Sequence, residues 1–145
     1  MSNETFMEEQ TAAYAEFHHK GQKYGDRDYF RAHILKVVQS LKSAGASLLA
    51  IQVGYLHDVV EDTEVTVDEI CGVFGLEVAE AVDAITKREG ESRNEYLKRC
   101  LKNPLAKFVK LHDAWCNFNC SVKEGDQRRI LRYSVTIQKL LRGAI

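Results

Sequence analysis

Apolar residues recur every three or four positions along most of this chain, and no segment shows the sustained period-two alternation of a strand. This pattern predicts an all-α fold, a bundle of about seven to eight helices. The helices are separated by turn residues, among them Gly21, Gly25, Gly45, Gly75, Gly90 and Pro104. The predicted helices cover residues 5–22, 29–44, a segment that begins at 47 and carries residues 56–63, and then 66–74, 77–86, 92–102, 105–122 and 126–141.

The same spacing assigns an inward face to several helices. The predicted inward residues are Phe6, Ala13 and Phe17 on the first helix, Phe30, Ile34, Val37 and Leu41 on the second, and Ile130, Val135, Ile137 and Leu140 on the last. Two helices begin with the pattern of a capping box, a Ser or Thr followed three residues later by Glu. These are Thr66 with Glu69 and Ser92 with Glu95.

Composition limits the classes of function that the chain can have. A length of 145 residues suits a single domain spanning 1–145, and a formal net charge of −1 gives no reason to expect nucleic-acid or membrane partners. No apolar run approaches the length of a membrane helix, and the polar N-terminus does not resemble a signal peptide. The four cysteines lack CxxC spacing, so we expect reduced, buried thiols in a cytoplasmic protein rather than a zinc site. The sequence is compatible with a homo-oligomer.

One stretch concentrates the chemistry. Residues 56–63, Leu-His-Asp-Val-Val-Glu-Asp-Thr, place one histidine and three carboxylates within six residues. On a continuous helix His57 would lie above Glu61, and Asp58 above Asp62. These groups share stripes with apolar residues, where they are costly unless paired, and a divalent cation is one natural partner. The alternative is a helix end followed by solvated acids, and this stretch alone leaves both interpretations open.

Two further polar residues are predicted to point inward. His33 shares the apolar face of the second helix, and Asp113 lies on a face of small residues in a largely apolar helix. Each residue also has a purely structural interpretation. His33 would then be a packed core residue, and Asp113 a buried residue in a salt bridge. We interpret His112 as a packing residue.

Together these residues resemble a known pattern, H…HD…D, of the HD-domain metal-dependent phosphohydrolases. More narrowly, the chain is similar to the hydrolase domain of RelA/SpoT-type enzymes and to the stand-alone small alarmone hydrolases. The matching segments run in family order over nearly the whole chain. They are His19–Gln22, Phe30–His33, Leu56–Thr63, Phe74–Val78, Ile85–Lys87, Val109–Asp113 and Asn117.

The resemblance implies an HD-domain helical bundle and a hydrolase. One divalent ion per chain, manganese in the family, would be bound by the four residues of the pattern: His33, His57, Asp58 and Asp113. A mixed nitrogen and oxygen set suits such an ion. Glu61 and Asp62 would position or deprotonate a water molecule. The substrate would be the nucleotide alarmone (p)ppGpp, cut at its 3′ position to release pyrophosphate.

Four residues resemble family positions that contact the nucleotide: Lys23, Asn117, Arg129 and Tyr133. Lys87 is a further phosphate-contact candidate, although surface lysines such as Lys23 and Lys87 are often simply solvated. The chain departs from the family at three positions, with Ile34 for a proline, Tyr24 for a basic residue and His112 for an alanine. The departures leave the base preference open. The alternatives are hydrolysis of another nucleotide, such as ppApp or NADPH, and a non-catalytic alarmone-binding module.

Overall fold

The computed structural model describes all 145 residues, and most of them are helical. The helices are α1 (Asn3–His18), α2 (Leu35–Ser43), α3 (Leu48–Leu56), α4 (Val59–Asp62), α5 (Val67–Phe74), α6 (Leu76–Ile85), α7 (Arg93–Leu101), α8 (Pro104–Glu124) and α9 (Gln127–Arg142). A π-helical turn, Phe30–Ile34, runs directly into α2. Two short antiparallel strands, β1 (Lys23–Tyr24) and β2 (Arg27–Asp28), precede that turn. The all-α prediction is confirmed, and no helix has the length and apolar composition needed to cross a membrane.

Helix α3 lies at the centre of the fold. Every residue from Ala50 to Leu56 is buried, and the helix packs against α1, α2, α6 and α8. Its sequence contains no charged residue, as expected for a helix that is covered on all sides. Gly54 allows α2 to come close, since a Cβ atom there would lie 2.5 Å from the Leu41 Cδ1 atom. The acidic stretch therefore starts from a firmly packed helix end.

The helix that carries the acidic stretch is interrupted, contrary to the prediction. Helix α3 ends at Leu56, Asp58 has φ −107° and ψ −2°, and α4 begins only at Val59. The carbonyls in the last turn of a helix lack partners within it. The ring of His57 supplies one, since its Nδ1 atom donates to the Gly54 carbonyl at 2.7 Å. The turn at His57–Asp58 therefore replaces the continuous stripes that the spacing had predicted.

The predicted face of α1 is wrong. Phe6 is 53% exposed, Phe17 is 71% exposed and Ala13 is also exposed, whereas Thr11 and Ala15 are fully buried. The inward face carries a polar residue because the Thr11 hydroxyl bonds within the core, to the Met7 carbonyl and the Gln52 amide. Hydrophobic spacing cannot identify a face of this kind.

The other predicted faces are mostly correct. On the second helix the predicted inward residues are all buried: Phe30, Ile34, Val37 and Leu41. On α9 Leu140 is buried, but Val135 is 39% exposed, so its inward assignment is wrong. The four cysteines are free thiols, of which only Cys100 is fully buried.

Of the two predicted capping boxes, one is complete and the other is only half formed. Ser92 and Glu95 form the complete capping box at the start of α7. Thr66 accepts a hydrogen bond from the Glu69 backbone at the start of α5, but the return bond from the Glu69 side chain is absent. The start of α5 therefore has the N-cap hydrogen bond of a capping box without the reciprocal bond.

Candidate metal centre and phosphate-binding cavity

The four predicted metal ligands converge from three segments of the chain. His33 lies in the π-helical turn, His57 and Asp58 lie between α3 and α4, and Asp113 lies in α8. The His33 Nε2 atom is 2.9 Å from Asp113 Oδ1 and 3.6 Å from Asp58 Oδ2. The His57 Nε2 atom is 3.1 Å from Asp58 Oδ2 and 3.5 Å from Asp113 Oδ1. His33, His57 and Asp58 each present a ligand atom within 4.8 Å of the others.

His57 shows what this cluster requires. Its Nδ1 atom donates to the Gly54 carbonyl, which leaves the Nε2 lone pair free in the neutral ring. That Nε2 atom is buried and has no hydrogen-bond partner, although it faces two carboxylates. Burial opposes a charge on the ring, yet Asp58 and Asp113 raise the pKa of His57 well above its usual range. Positive charge is therefore favoured between the imidazoles and the carboxylates, and a divalent cation would supply it.

The two carboxylates are held by further side chains. The Tyr29 hydroxyl donates to Asp58 Oδ2 at 2.6 Å, and Lys110 Nζ lies 2.8 Å from Asp113 Oδ2. Asn117 donates to Asp113 Oδ1 at 3.2 Å. Burial alone would raise the pKa of Asp113, but Lys110 and the facing imidazoles hold it well below its usual range. These contacts orient both carboxylates, and the lowered pKa values of Asp58 and Asp113 favour the ionised form that a metal ligand would require.

The two predicted catalytic carboxylates point to different places. Glu61 lines the same cavity as Asp58, and its Oε1 atom accepts a bond of 2.9 Å from the Lys87 backbone N–H. Asp62 lies in a neighbouring depression, where its Oδ2 atom accepts a bond of 2.9 Å from the Gln22 amide. Partial burial raises the pKa of both carboxyl groups, and the charge of Asp58 adds to this effect. The structure thus brings Glu61, but not Asp62, into the cavity.

The cluster opens into a cavity of about 240 Å³ whose walls are strongly basic. Its cationic residues are Lys87, Arg93, Lys110, Arg129 and Arg132. Lys110 is paired with Asp113, and Arg129 is paired with Glu124 outside this cavity, but the other three have no carboxylate partner. Arginine and lysine groups in this arrangement suit phosphoryl oxygens.

A second cavity of about 550 Å³ adjoins the first and shares Tyr24 and His33 with it. Its lining is mixed: the Tyr24 ring, Ala32 and two cysteines, amides, and the cations Arg27, Lys36 and Lys123. Tyr24 stands between the two cavities, with its ring stacked on that of His33 at 5.4 Å between centroids. One elongated ligand could therefore occupy both.

Three of the four predicted substrate contacts line the smaller cavity, and the fourth lies outside it. Asn117, Arg129 and Tyr133 line the smaller cavity, with the Arg129 guanidinium 5.8 Å from the centre of the Tyr133 ring. Lys23 is exposed and lies outside both cavities, because neighbouring residues of a strand point to opposite sides and Tyr24 takes the inward position. The structure therefore does not bring Lys23 to the site.

Sequence reasoning missed several residues that line or support the site. Tyr29 holds Asp58, and Arg93 enters the cavity from the start of α7, fixed by its bonds of 2.6 and 3.1 Å to the Thr136 hydroxyl of α9. An arginine beside a helix cap gives the same signal as a solvated surface charge, so nothing in the local sequence distinguishes Arg93. Lys110 stands three residues before Asp113, and that spacing could have indicated the pair.

Comparison with known proteins gives the family. Residues 11–107 match the model of the family described as HD domain. The chain is 36% identical over 69 residues to a probable guanosine-3′,5′-bis(diphosphate) 3′-pyrophosphohydrolase of Synechocystis, which covers 48% of this chain and 9% of that protein. The chain spans between 9% and 13% of the length of this protein and of three further long relatives.

Two relatives of similar size cover most of the chain. It is 29% identical over 149 aligned residues to guanosine-3′,5′-bis(diphosphate) 3′-pyrophosphohydrolase MESH1 of Danio rerio, across 92% of this chain and 82% of that protein. A solved structure, reported as a metazoan ortholog of SpoT that hydrolyzes ppGpp, superposes with a TM-score of 0.76 at 23% identity, over 99% of this chain and 86% of the other. That structure shares the fold, and the family match covers the HD motif itself. The chain belongs to the HD-domain family.

Proposed function

We propose that this chain is a metal-dependent phosphohydrolase that removes the 3′-diphosphate of (p)ppGpp as pyrophosphate. The observation that carries the proposal is the buried, unpartnered Nε2 atom of His57, which faces the Asp58 and Asp113 carboxylates at the base of a basic cavity. The names of the bacterial and zebrafish relatives support the substrate.

The metal site would consist of His33, His57, Asp58 and Asp113, and we propose Mn²⁺ as the ion. Two imidazole nitrogens and two carboxylates suit a first-row divalent ion, which would polarise a phosphoryl oxygen and acidify bound water. Tyr29, Lys110 and Asn117 fix the carboxylates through the hydrogen bonds described above, so the donor set is held in place by the protein itself.

Glu61 is the proposed general base. It lines the cavity beside Asp58, and its Oε1 atom is fixed by the Lys87 backbone, which leaves Oε2 available to accept a proton from water. A raised pKa makes the ionised form of Glu61 a better proton acceptor. Asp62, held by Gln22, is proposed to act from the adjoining depression by orienting water and by adding negative charge near the cluster.

The phosphoryl groups are assigned to the smaller cavity. Arg93 and Arg132 lie on its wall without carboxylate partners, and partial burial together with the charge of Arg132 lowers the pKa of Arg93. An anionic ligand relieves this repulsion. Arg129, between the rings of Tyr24 and Tyr133, completes a set of cations that would hold the diphosphate in line for attack.

The nucleoside is assigned to the larger cavity. Cavities that hold ligands of this size typically measure about 300–1,000 Å³. The smaller cavity is below this range and the larger one, at about 550 Å³, is within it. The aromatic ring of Tyr24 and the amide and thiol groups of the larger cavity offer a base both a stacking surface and hydrogen-bond partners.

The test is product analysis with purified protein and Mn²⁺ on ppGpp, ppApp and NADPH, with nucleotides separated by ion exchange and pyrophosphate measured directly. We expect pyrophosphate and GDP from ppGpp, with activity lost on chelation and in the variant Asp113→Asn. The exposed acid Asp68 of α5 provides the control variant Asp68→Asn, which should behave as wild type. A protein that binds Mn²⁺ and ppGpp but releases no pyrophosphate would refute hydrolysis and favour a binding module.

A further inference from the structure

Tyr24 lies between the proposed metal ligands and Arg129, one of the cations proposed to hold the phosphoryl groups. Its hydroxyl donates to Asn117 Oδ1 at 2.7 Å and accepts a hydrogen bond from Arg129 Nη2 at 3.0 Å. Asn117 in turn donates through Nδ2 to Asp113 Oδ1, the oxygen that lies 2.9 Å from His33. One hydroxyl therefore joins Arg129 to Asp113 through a single amide.

All the donors in this chain of hydrogen bonds point the same way, from the guanidinium towards the carboxylate. Hydrogen bonds aligned in this manner polarise and strengthen one another. This row of hydrogen bonds also fixes the orientation of the Asn117 amide. Because the amide oxygen accepts from Tyr24, only the NH₂ group is left to face Asp113. If the amide flipped, its oxygen would repel the carboxylate. The orientation of the Asn117 amide, and with it the hydrogen bond to Asp113 Oδ1, thus depends on the Tyr24 hydroxyl.

We propose that Tyr24 is a positioning residue that couples phosphate binding at Arg129 to metal binding at Asp113. Arg129 is held between Tyr24, 5.9 Å from its ring centre, and Tyr133, so its orientation is set before a ligand arrives. A phosphate that bonds to Arg129 redistributes the charge at the first donor in this row of hydrogen bonds. The proposed metal ligand Asp113 is the last acceptor in the same row. The identity of the anion at Arg129 rests on the proposed function. The effect of Tyr24 on metal affinity does not depend on that function.

The residue type at position 24 matters for this role. A tyrosine hydroxyl both donates and accepts, whereas lysine and arginine only donate. The basic residue that the family resemblance leads one to expect at this position could not accept from Arg129 and would repel it. The coupling is therefore a property of Tyr24 in this chain, and a basic replacement should abolish it.

The test begins with the variant Tyr24→Phe, which keeps the ring stacked on His33 and removes only the hydroxyl. Metal-stripped protein is titrated with Mn²⁺ by calorimetry, and folding is monitored by thermal denaturation. We expect Mn²⁺ affinity to fall about threefold to tenfold, less than the 10- to 100-fold typical for the direct partner of a metal ligand. The matched control is Tyr14→Phe, since the Tyr14 hydroxyl forms no hydrogen bond and lies outside both cavities, and its affinity should equal that of wild type.

A second measurement tests the coupling itself. Guanosine 3′-monophosphate, whose phosphate corresponds to the group assigned to Arg129, is titrated into metal-free and Mn²⁺-loaded protein, and the ratio of the two dissociation constants defines the coupling, which must be reciprocal. We expect the ratio to move towards one in both Tyr24→Phe and Tyr24→Arg.

A double-variant comparison tests the route through the amide. If Tyr24 acts through Asn117, then Tyr24→Phe should cause no further loss of Mn²⁺ affinity in an Asn117→Ala background.

The outcomes separate the two proposals. Unchanged Mn²⁺ affinity in Tyr24→Phe, an unchanged coupling ratio, or losses that multiply with those of Asn117→Ala would each overturn the role of Tyr24. A wild-type protein that hydrolyses none of the nucleotides, but whose Mn²⁺ affinity depends on Tyr24, would refute the proposed function and leave the Tyr24–Asn117–Asp113 connection standing.

Discussion

The variant Gly54→Ala tests whether the packing of α3 against α2 holds the metal centre in place. An added Cβ atom would lie 2.5 Å from Leu41 Cδ1 and 3.5 Å from Val38 Cγ2. Ordinary carbon contacts begin near 3.5 Å, so the first distance is about 1 Å too short. Leu41 is fully buried, and it cannot move without disturbing its neighbours. Either the Leu41 side chain repacks or the backbone of α3 shifts, and a shift carries with it the Gly54 carbonyl that fixes His57.

The expected magnitude combines two opposing terms. Replacing a helical glycine by alanine stabilises a helix by up to about 1 kcal/mol, and overpacking a core costs about 1–3 kcal/mol. Gly72 in α5 is the matched control, because a Cβ atom there would have nothing within 4 Å. Gly72→Ala should be neutral or stabilising. The difference between the two variants isolates the steric term of about 1–3 kcal/mol, or roughly 2–4 °C of Tm for each kcal/mol in a chain of this length.

The assay compares thermal midpoints of the metal-free variants and then titrates each with Mn²⁺. Gly54→Ala should bind Mn²⁺ up to about tenfold more weakly, because a shift of α3 displaces the Gly54 carbonyl that orients His57. In the Gly54→Ala background, Leu41→Ala should cost less stability than it does in wild type, since it removes the atom that clashes. The reasoning is refuted if Gly54→Ala is as stable as Gly72→Ala and retains full Mn²⁺ affinity.

Four further predictions concern the charged groups of the site. Glu61→Gln should lower kcat by about 10²–10⁴ with Mn²⁺ still bound, and Asp62→Asn should lower it less, as measured by turnover and metal content on the same samples. Because burial raises the pKa of Glu61, kcat should fall as the pH drops through a midpoint above that of an ordinary glutamate, and Glu61→Gln should lose this acidic limb. Arg129→Ala should raise KM more than it lowers kcat, and an unchanged KM for every nucleotide would remove this residue from the site. Lys110→Met should destabilise the metal-free protein by about 3 kcal/mol, since it removes the ammonium group paired with the buried Asp113, and added Mn²⁺ should restore most of the lost Tm.

The helical fold was predictable because hydrophobic spacing and helix caps act locally. The face of the second helix and the capping box of Ser92 with Glu95 follow from residues within one or two turns of each other. The face of α1 was not predictable, since Thr11 is buried by a bond to Gln52, 41 residues away. The break between α3 and α4 depends on the bond between the His57 ring and the Gly54 carbonyl, a side-chain contact that periodicity does not encode.

The site was predictable where its residues belong to a sequence motif, and not where they are brought together by distant segments. The four proposed metal ligands were identifiable as a converging set because a motif and a family resemblance fixed their types and order. The groups that surround the ligand depend on contacts between distant segments, as Arg93 depends on Thr136, 43 residues later. Lys23 was selected by its charge and its neighbourhood in sequence, but the register of a two-residue strand turned Tyr24 inward instead.

The two halves of the site differ in how deeply they are anchored. His33, His57 and Asp113 are almost fully buried, and they are held by the π-helical turn before α2, by the end of α3 and by α8, all of which pack into the core. The groups that line the larger cavity come from the short hairpin, from the π-helical turn and α2, and from the outer side of α8, and most of them are half-buried or exposed. Substitutions on that outer side cost little stability, so the base preference can change while the metal centre stays intact. Tyr24 is the exception, because its hydroxyl reaches Asp113 through one amide, and a change there should alter recognition and metal binding together.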